Sequence, residues 1–131
     1  MNEKEMVINI LEEMGLKPIE DEDGDLTFLF QMKTINVLFF NDSKQFMKLS
    51  VPKFHEIKKG EETLALAICS SITRDMKLAK VFTDKDFKYV AACCDFYYTD
   101  KESLRYNIDM SLKILSLVKR NYFIIQNGIM S

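Results

Sequence analysis

The residues best suited to chemistry are a single histidine and three cysteines. A Cys–His nucleophilic pair would require His55 to approach Cys69, Cys93 or Cys94, and no local sequence signature of such a pair surrounds them. One histidine cannot build a histidine-based metal site, and the cysteines lack the CxxC spacing of a zinc site. We therefore predict no catalytic residue and no metal ligand. His55 is expected in a loop between a strand and a helix, and the thiols are expected to behave as small hydrophobes.

The acidic run from Asp21 to Asp25 invites comparison with a calcium-binding loop. Aligning Gly24 with the invariant glycine of an EF-hand puts Ile19 at the first ligand position and Phe30 at the last, where Asp and a bidentate Glu are required. A solvated hairpin turn is the better interpretation of this run, because Asp and Gly are typical turn residues.

Other motifs that would indicate catalysis or cofactor binding are missing from the sequence. Carboxylate pairs such as Glu12-Glu13 and Glu61-Glu62 fall at predicted helix ends, where acidic residues are ordinary. The sequence contains no GxGxxG, GxxxxGK(S/T) or GxSxG pattern, and it has four glycines in all. No cofactor is expected.

Composition and charge limit the classes of protein that this chain can represent. Its 131 residues are 47% apolar and carry a net charge of −2, which suits one domain with an ordinary core and does not suit a nucleic-acid binder. No apolar run approaches the roughly 18 residues of a membrane span, and the N-terminus lacks the apolar core of a signal peptide. The odd number of cysteines argues against a disulfide framework. We expect a single cytoplasmic domain over residues 1–131 that binds no nucleic acid, membrane or metal.

The N-terminal elements have clear start and stop signals. Asn2 and Glu5 form a capping box for a first helix, and Gly15 ends that helix. A short strand at Ile19 follows. The Asp23-Gly24 pair then predicts a type I′ turn, which needs positive φ angles.

Hydrophobic periodicity predicts the elements that follow. A meander of antiparallel strands ends where Pro52 closes the fourth strand. A helix, a short strand and a long strand come next. The predicted bounds are 26–32, 35–40 and 46–51 for the strands of the meander, 61–77 for the helix, and 79–82 and 87–98 for the last two strands.

A long helix over residues 101–126 completes the chain. Thr99 and Glu102 form a capping box at its start, and Gly128 is expected to stop it. A stripe of apolar residues at helical spacing is expected to pack on the sheet. The stripe consists of Leu104, Ile108, Leu112, Leu115, Val118 and Tyr122.

The predicted order is therefore α-β-β-β-β-α-β-β-α, an α+β fold with helices on one face of an antiparallel sheet. This order resembles the type III secretion chaperone-like fold and, within it, the YbjN-like family of bacterial sensory transduction regulators. The resemblance is carried by four segments: residues 15–18 (GLKP), 21–30 (DEDGDLTFLF), 51–54 (VPKF) and 77–81 (KLAKV). It implies a protein that binds other proteins, often as a homodimer, and it does not imply a role in a secretion system.

Two-sided hydrophobicity is the most informative feature of the predicted sheet. The last strand is apolar on the face assigned to the core, and Tyr89 and Tyr97 lie on its other face. Leu38 and Phe40 extend that second face on the third strand. A sheet covered on one side should alternate apolar with polar residues. Either a loop or the long helix covers the second face, or these four residues contact a partner.

Two functions from different classes are compatible with the sequence. The first is a small protein-binding module, chaperone-like or regulatory and without catalytic activity, that contacts a protein partner or a second copy of itself. The alternative is a small cytosolic enzyme or ligand carrier with an apolar pocket between helix and sheet.

Overall fold

The computed structural model describes residues 2–130 and has the predicted α+β order. The helices are α1 (Glu3–Glu13), α2 (Glu62–Asp75) and α3 (Lys101–Met130). The strands are β1 (Ile19–Glu20), β2 (Leu26–Phe30), β3 (Lys33–Phe39), β4 (Phe46–Glu56), β5 (Lys80–Thr83) and β6 (Tyr89–Tyr97). The predicted bounds agree to within a few residues, except at the ends of β4 and α3.

All six strands join one antiparallel sheet in the order β1-β2-β3-β4-β6-β5. The first four strands form the predicted meander. After β4, the chain passes through α2 to the edge strand β5, and β6 then returns between β5 and β4. The two longest strands, β4 and β6, are therefore neighbours at the centre of the sheet.

The helices pack on one face of this sheet. The predicted stripe of α3 is confirmed, since all six of its residues are at most 2% exposed and belong to the core cluster. The same cluster contains residues of α1 and α2 and the alternate residues of β2, β3, β4 and β6. The long helix therefore lies on the core face and does not cover the second face of the sheet. No helix within residues 2–130 is both long and apolar enough to cross a bilayer.

The start of α1 follows the sequence prediction. The Asn2 side chain accepts a hydrogen bond from the Glu5 backbone N–H at 2.8 Å, and its amide donates to the Glu5 carboxylate at 3.3 Å. The helix ends at its C-cap Met14, and Gly15 follows with φ +83°. Glycine has no Cβ and so adopts this left-handed conformation without the steric cost that other residues incur.

The two hairpin turns differ from the prediction. The Asp23-Gly24 pair does not form a type I′ turn, because only Gly24 of the two has a positive φ. Instead, the Asp21 carboxylate accepts hydrogen bonds from the N–H groups of Asp23 and Asp25 at 2.9 and 3.0 Å. Two consecutive positive φ angles, which a type I′ turn requires, occur at Gln31 and Met32 between β2 and β3.

Contrary to the prediction, Pro52 does not close β4, because the strand continues to Glu56. The pairing with β6 shifts register between Val51 and His55, and Lys53 within this bulge has φ +49°. Proline lacks an N–H and is tolerated in a central strand where a bulge interrupts the ladder. His55 therefore lies in β4, opposite Val90, and not in a loop.

The predicted start of α3 at Lys101 is confirmed, but the predicted cap and the predicted C-terminal end were wrong. The N-cap is Asp100, whose carboxylate accepts from the Ser103 N–H at 2.8 Å, in place of the Thr99–Glu102 pair. The Ser103 hydroxyl in turn accepts from the Asp100 N–H at 3.1 Å. At the other end, Gly128 lies within the helix, which continues to Met130. Glycine costs a helix interior only about 1 kcal/mol relative to alanine, so it does not have to end one.

Candidate functional site

The face of the sheet opposite the helices, called the outer face below, is built in rows across the central strands. In the first row, Phe46 of β4 pairs with Tyr97 of β6. Their ring centroids are 4.8 Å apart, and the Phe40 ring lies 5.4 Å from that of Phe46 on the other side. These distances are within the range of favourable aromatic contacts. The result is a row of three aromatic rings, Phe40, Phe46 and Tyr97, which we call the aromatic row.

The second row of the outer face is polar. Leu38 pairs with Lys48, and Lys48 pairs with Asp95. The Asp95 carboxylate also binds the Lys80 ammonium of β5 at 2.9 Å, which raises the pKa of Lys80. The Lys48 ammonium lies 5.9 Å from the centre of the Phe40 ring, a cation–π distance.

Small residues form the third row. Ser50 pairs with Cys93, and both are buried at 9% and 1% exposure although they point to the outer face. Burial raises the pKa of the Cys93 thiol above its ordinary value. A reactive cysteine needs a thiolate, so Cys93 is not a candidate nucleophile.

The structure brings together three of the four residues predicted to bind a partner. Phe40 is half-buried and Tyr97 is 70% exposed within the aromatic row, and the half-buried Leu38 lies beside it. Tyr89 shares the outer face but lies eight residues from Tyr97 along β6, about 27 Å at 3.4 Å per residue. There, the Lys53 ammonium lies 5.1 Å from the centre of the Tyr89 ring.

Phe46 is the member of the aromatic row that sequence reasoning missed. It heads β4, and the alternation of that strand already indicated that Phe46 and Met47 point to opposite faces. What the sequence did not contain was the β4–β6 pairing, which joins residues about 50 positions apart and places Phe46 beside Tyr97.

Burial suppresses the reactivity of the candidate thiols. Burial raises the pKa of Cys69 to about 11 and that of Cys94 to about 12, so both thiols remain protonated at neutral pH. Burial lowers the pKa of His55, whose ring packs against those of Tyr122 and Phe123 at centroid distances of 4.9 and 5.2 Å. Within residues 2–130, no group of three or more His, Cys, Asp or Glu side chains is arranged to hold a metal ion.

An apolar groove of about 420 Å³ lies at the β2 edge of the sheet. Its apolar lining consists of Leu16, Ile19, Phe28 and Leu29. Lys17 is the one ionisable residue in its lining. A catalytic or ligand pocket usually combines an apolar wall with several convergent polar groups. Here the polar lining consists of Lys17, Thr27 and Thr34, and the Thr27 hydroxyl is already hydrogen-bonded to the Asn36 side chain at 3.2 Å.

Comparison with solved structures defines the class of fold. No protein-family model and no curated protein matches the sequence, but the arrangement of the helices and strands has clear counterparts. The fold is that of the type III secretion chaperones and YbjN, as the element order had indicated.

Three structures illustrate this likeness. YbjN from E. coli superposes with a TM-score of 0.74 at 14% identity, over 95% of this chain and 94% of that one. The HopA1–SchA chaperone–effector complex gives 0.62 at 10% identity, over 91% of both chains. The Yersinia pestis type III secretion chaperone SycH, solved with a stable fragment of YscM2, gives 0.51 at 14% identity, over 84% of this chain and 97% of that one. At these identities, the likeness establishes the fold.

Proposed function

We propose that this chain is a cytoplasmic protein-binding module, chaperone-like or regulatory, that acts by contact and not by catalysis. The observation that carries the proposal is the aromatic row on a sheet face opposite all three helices. Exposed apolar patches on small proteins often mark interaction sites, and aromatic anchors such as tyrosine are enriched among the residues that dominate binding energy.

Two of the structural counterparts support a protein as the ligand. SchA was solved in a chaperone–effector complex, and the chaperone SycH was solved with a fragment of YscM2. By analogy of fold, the partner of this chain would be a polypeptide. The enzyme alternative has less support, because the β2-edge groove has a single ionisable residue in its lining and the buried thiols stay protonated.

The contact residues of the proposal are Leu38, Phe40 and Tyr97, with Phe46 added from the structure. Tyr97 supplies the largest exposed area, and the half-buried Phe40 and Phe46 support its ring. Tyr89 is a separate contact at the far end of β6, engaged by a partner long enough to cover about 27 Å of strand.

Single tyrosine substitutions test this arrangement. The tagged chain and its Tyr97→Ala, Tyr89→Ala and Tyr106→Ala variants are used to capture proteins from an extract of the native host, and captured proteins are identified by mass spectrometry. Tyr106 is the matched control, because it is 64% exposed on α3. We expect Tyr97→Ala to lose the specific partner, Tyr89→Ala to weaken its capture, and Tyr106→Ala to retain it.

Thermal melts confirm that each variant is folded before capture is compared. Because Tyr97 is 70% exposed and its ring contacts Phe46, its truncation should cost no more than about 1.5 kcal/mol, the upper value for an aromatic pair. Equal capture by Tyr97→Ala and Tyr106→Ala would contradict the proposal.

A further inference from the structure

We infer that the outer face binds an acidic polypeptide segment, whose carboxylates pair with Lys48 and Lys53 and whose apolar residues contact the aromatic row. The inference rests on the proposed function and names the chemistry of the partner that this face takes.

The central strands carry more positive than negative charge on the outer face. Three ammonium groups lie there against two carboxylates, although the whole chain has a net charge of −2. A surface whose charge is opposite to that of a ligand attracts that ligand and selects against others. The groups are Lys48, Lys53 and Lys80 on the positive side and Asp95 and Glu56 on the negative side.

Lys48 is well placed to pair with a carboxylate from outside the chain. Its neighbour Asp95 already binds Lys80 through Oδ2 at 2.9 Å. Within residues 2–130, no carboxylate lies within ion-pair distance of the Lys48 ammonium. The ammonium lies 5.9 Å from the centre of the Phe40 ring. An acidic side chain of a partner therefore finds a counter-ion at Lys48 and an apolar ring directly beside it.

Lys53 repeats this arrangement at the other end of the face. Its ammonium lies 5.1 Å from the centre of the Tyr89 ring, and it too has no carboxylate within ion-pair distance among the described residues. Residues five positions apart on a regular strand point to opposite faces. The β4 bulge between Val51 and His55 shifts the register, so Lys48 and Lys53 share the outer face.

The distance between the two ends sets the length of the segment. Tyr97 and Tyr89 are eight residues apart on β6, about 27 Å at 3.4 Å per residue. About eight residues of extended chain cover this distance, whereas a helix would need about 18 residues at 1.5 Å per residue. Between the ends, the paired residues Ser50 and Cys93 are small and uncharged. The ligand that fits is a short extended segment with acidic residues toward both ends and apolar residues between them.

The experiment selects ligands without fixing their sequence in advance. Random peptides of about twelve residues, long enough to span about 27 Å when extended, are displayed on phage and selected against the intact tagged chain. Enriched peptides are synthesised with a fluorescent label, and fluorescence anisotropy measures their dissociation constants. The proteins compared are the unsubstituted chain, Lys48→Glu, Lys53→Glu and Lys77→Glu. Lys77 is the matched control, because it is an exposed lysine in the loop between α2 and β5.

We expect the enriched peptides to carry Asp or Glu toward both ends and apolar residues between them. Lys48→Glu and Lys53→Glu should each raise the dissociation constant at least about tenfold, because facing like charges oppose association, and Lys77→Glu should leave it unchanged. A peptide with lysine in place of the acidic residue that faces Lys48 should recover binding to Lys48→Glu. Circular dichroism checks the fold of each variant, and Lys48→Gln, which adds no repulsion, serves if Lys48→Glu does not fold.

Four results would overturn the inference. They are the enrichment of no peptide, the enrichment of neutral or basic peptides, equal binding of acidic peptides to Lys48→Glu and Lys77→Glu, and equally tight Lys48-dependent binding of an oligothymidylate of similar length. The last result would show that the face takes a nucleic acid.

The proposed function has a separate readout, which is the Tyr97-dependent capture of a protein from the host extract. That capture, together with neutral peptides or none in the selection, would refute the acidic segment and retain the binding module. Loss of both the acidic peptides and the Tyr97-dependent capture would refute the two together.

Discussion

The turn between β2 and β3 places two ordinary side chains in backbone conformations that glycine adopts most readily. Gln31 has φ +51° and Met32 has φ +66°. Each L-residue held in the left-handed region costs roughly 1–2 kcal/mol, because Cβ approaches the following carbonyl oxygen. Met32 is also 97% exposed, so its side chain returns no packing energy.

Met32→Gly should therefore stabilise the fold. Relief of the backbone strain outweighs the extra entropy that glycine gives the unfolded chain, which is of order 0.5–1 kcal/mol. We expect a net gain of about 0.5 kcal/mol in the free energy of unfolding, measured by urea denaturation. Met32→Ala is the control, since alanine keeps the strain, and it should show no gain. A glycine variant no more stable than the alanine variant would contradict the strain argument.

His55 gives stability a dependence on pH. Burial among the rings of Tyr122 and Phe123 lowers its pKa from 6.5, against the attraction of Glu61 and together with the repulsion of Lys119 and Lys58. The unfolded chain then binds more protons than the folded one just below pH 6.5. The stability that the chain gains by burying neutral His55 is fully present above about pH 6.5. It is lost as the pH falls toward the pKa of His55 in the folded chain.

The test is the difference between two pH profiles. The unsubstituted chain should lose stability more steeply than His55→Gln as the pH falls from about 7 to about 5, because glutamine has no titrating side chain. Urea denaturation at closely spaced pH values measures the difference. Parallel profiles would show that His55 titrates alike in the folded and unfolded chains.

At the scale of elements, the backbone N–H and C=O groups at the two edges of the sheet are satisfied in different ways. On β5, the Thr73 hydroxyl of α2 accepts from the Val81 N–H at 2.9 Å and donates to the Val81 carbonyl at 3.2 Å. A helix thus closes an edge that would otherwise be free to pair with another chain. On β2, strand β1 pairs with Leu26 and Thr27 alone, because the residue before β1 is Pro18, which has no N–H to extend the ladder. Leu29 beyond it is 68% exposed.

Patterns within one element were predictable from the sequence, and patterns between elements were not. The stripe from Leu104 to Tyr122 followed from the helical period alone, as did the cap at Asn2. The bulge after Val51 depends on pairing with β6, so Pro52 looked like a strand end. The turn at Gln31 and Met32 is held by the register of β2 and β3 in spite of its residue types, which local propensity could not reveal.

The candidate site was also predictable only in part, because patterns within one strand are visible in the sequence and contacts between strands are not. Alternation along β3 and β6 predicted residues of the outer face, including Leu38 and Tyr97. Whether a helix covers that face depends on the side on which α3 packs, which the sequence left open. Strand length alone separates Tyr89 from Tyr97 by about 27 Å, so one shared cluster of all four predicted residues was never geometrically available.

At the scale of the whole molecule, a single hydrophobic cluster connects every helix to the sheet. Residues of α1, α2 and α3 and of the long strands all belong to it. Unfolding of one part should therefore remove the support of the rest, and small proteins built in this way usually unfold in one step.

Leu115→Ala tests this cooperativity. Leu115 lies near the middle of α3, is 1% exposed and belongs to the core cluster. Truncation of a packed leucine leaves a cavity and costs about 2–5 kcal/mol. We expect that loss to appear equally in far-ultraviolet circular dichroism, which follows the helices, and in tyrosine fluorescence. The fluorescence is measured in a Tyr106→Phe and Tyr122→Phe background, because the remaining tyrosines, Tyr89, Tyr97 and Tyr98, lie in β6 or directly after it. Leu117→Ala on the same helix is the control. Leu117 is 45% exposed, so this substitution should cost about 0.5 kcal/mol or less.

Separate midpoints for the two probes would show that the helices and the sheet unfold as different units, and one cooperative domain over the whole chain would then be the wrong description.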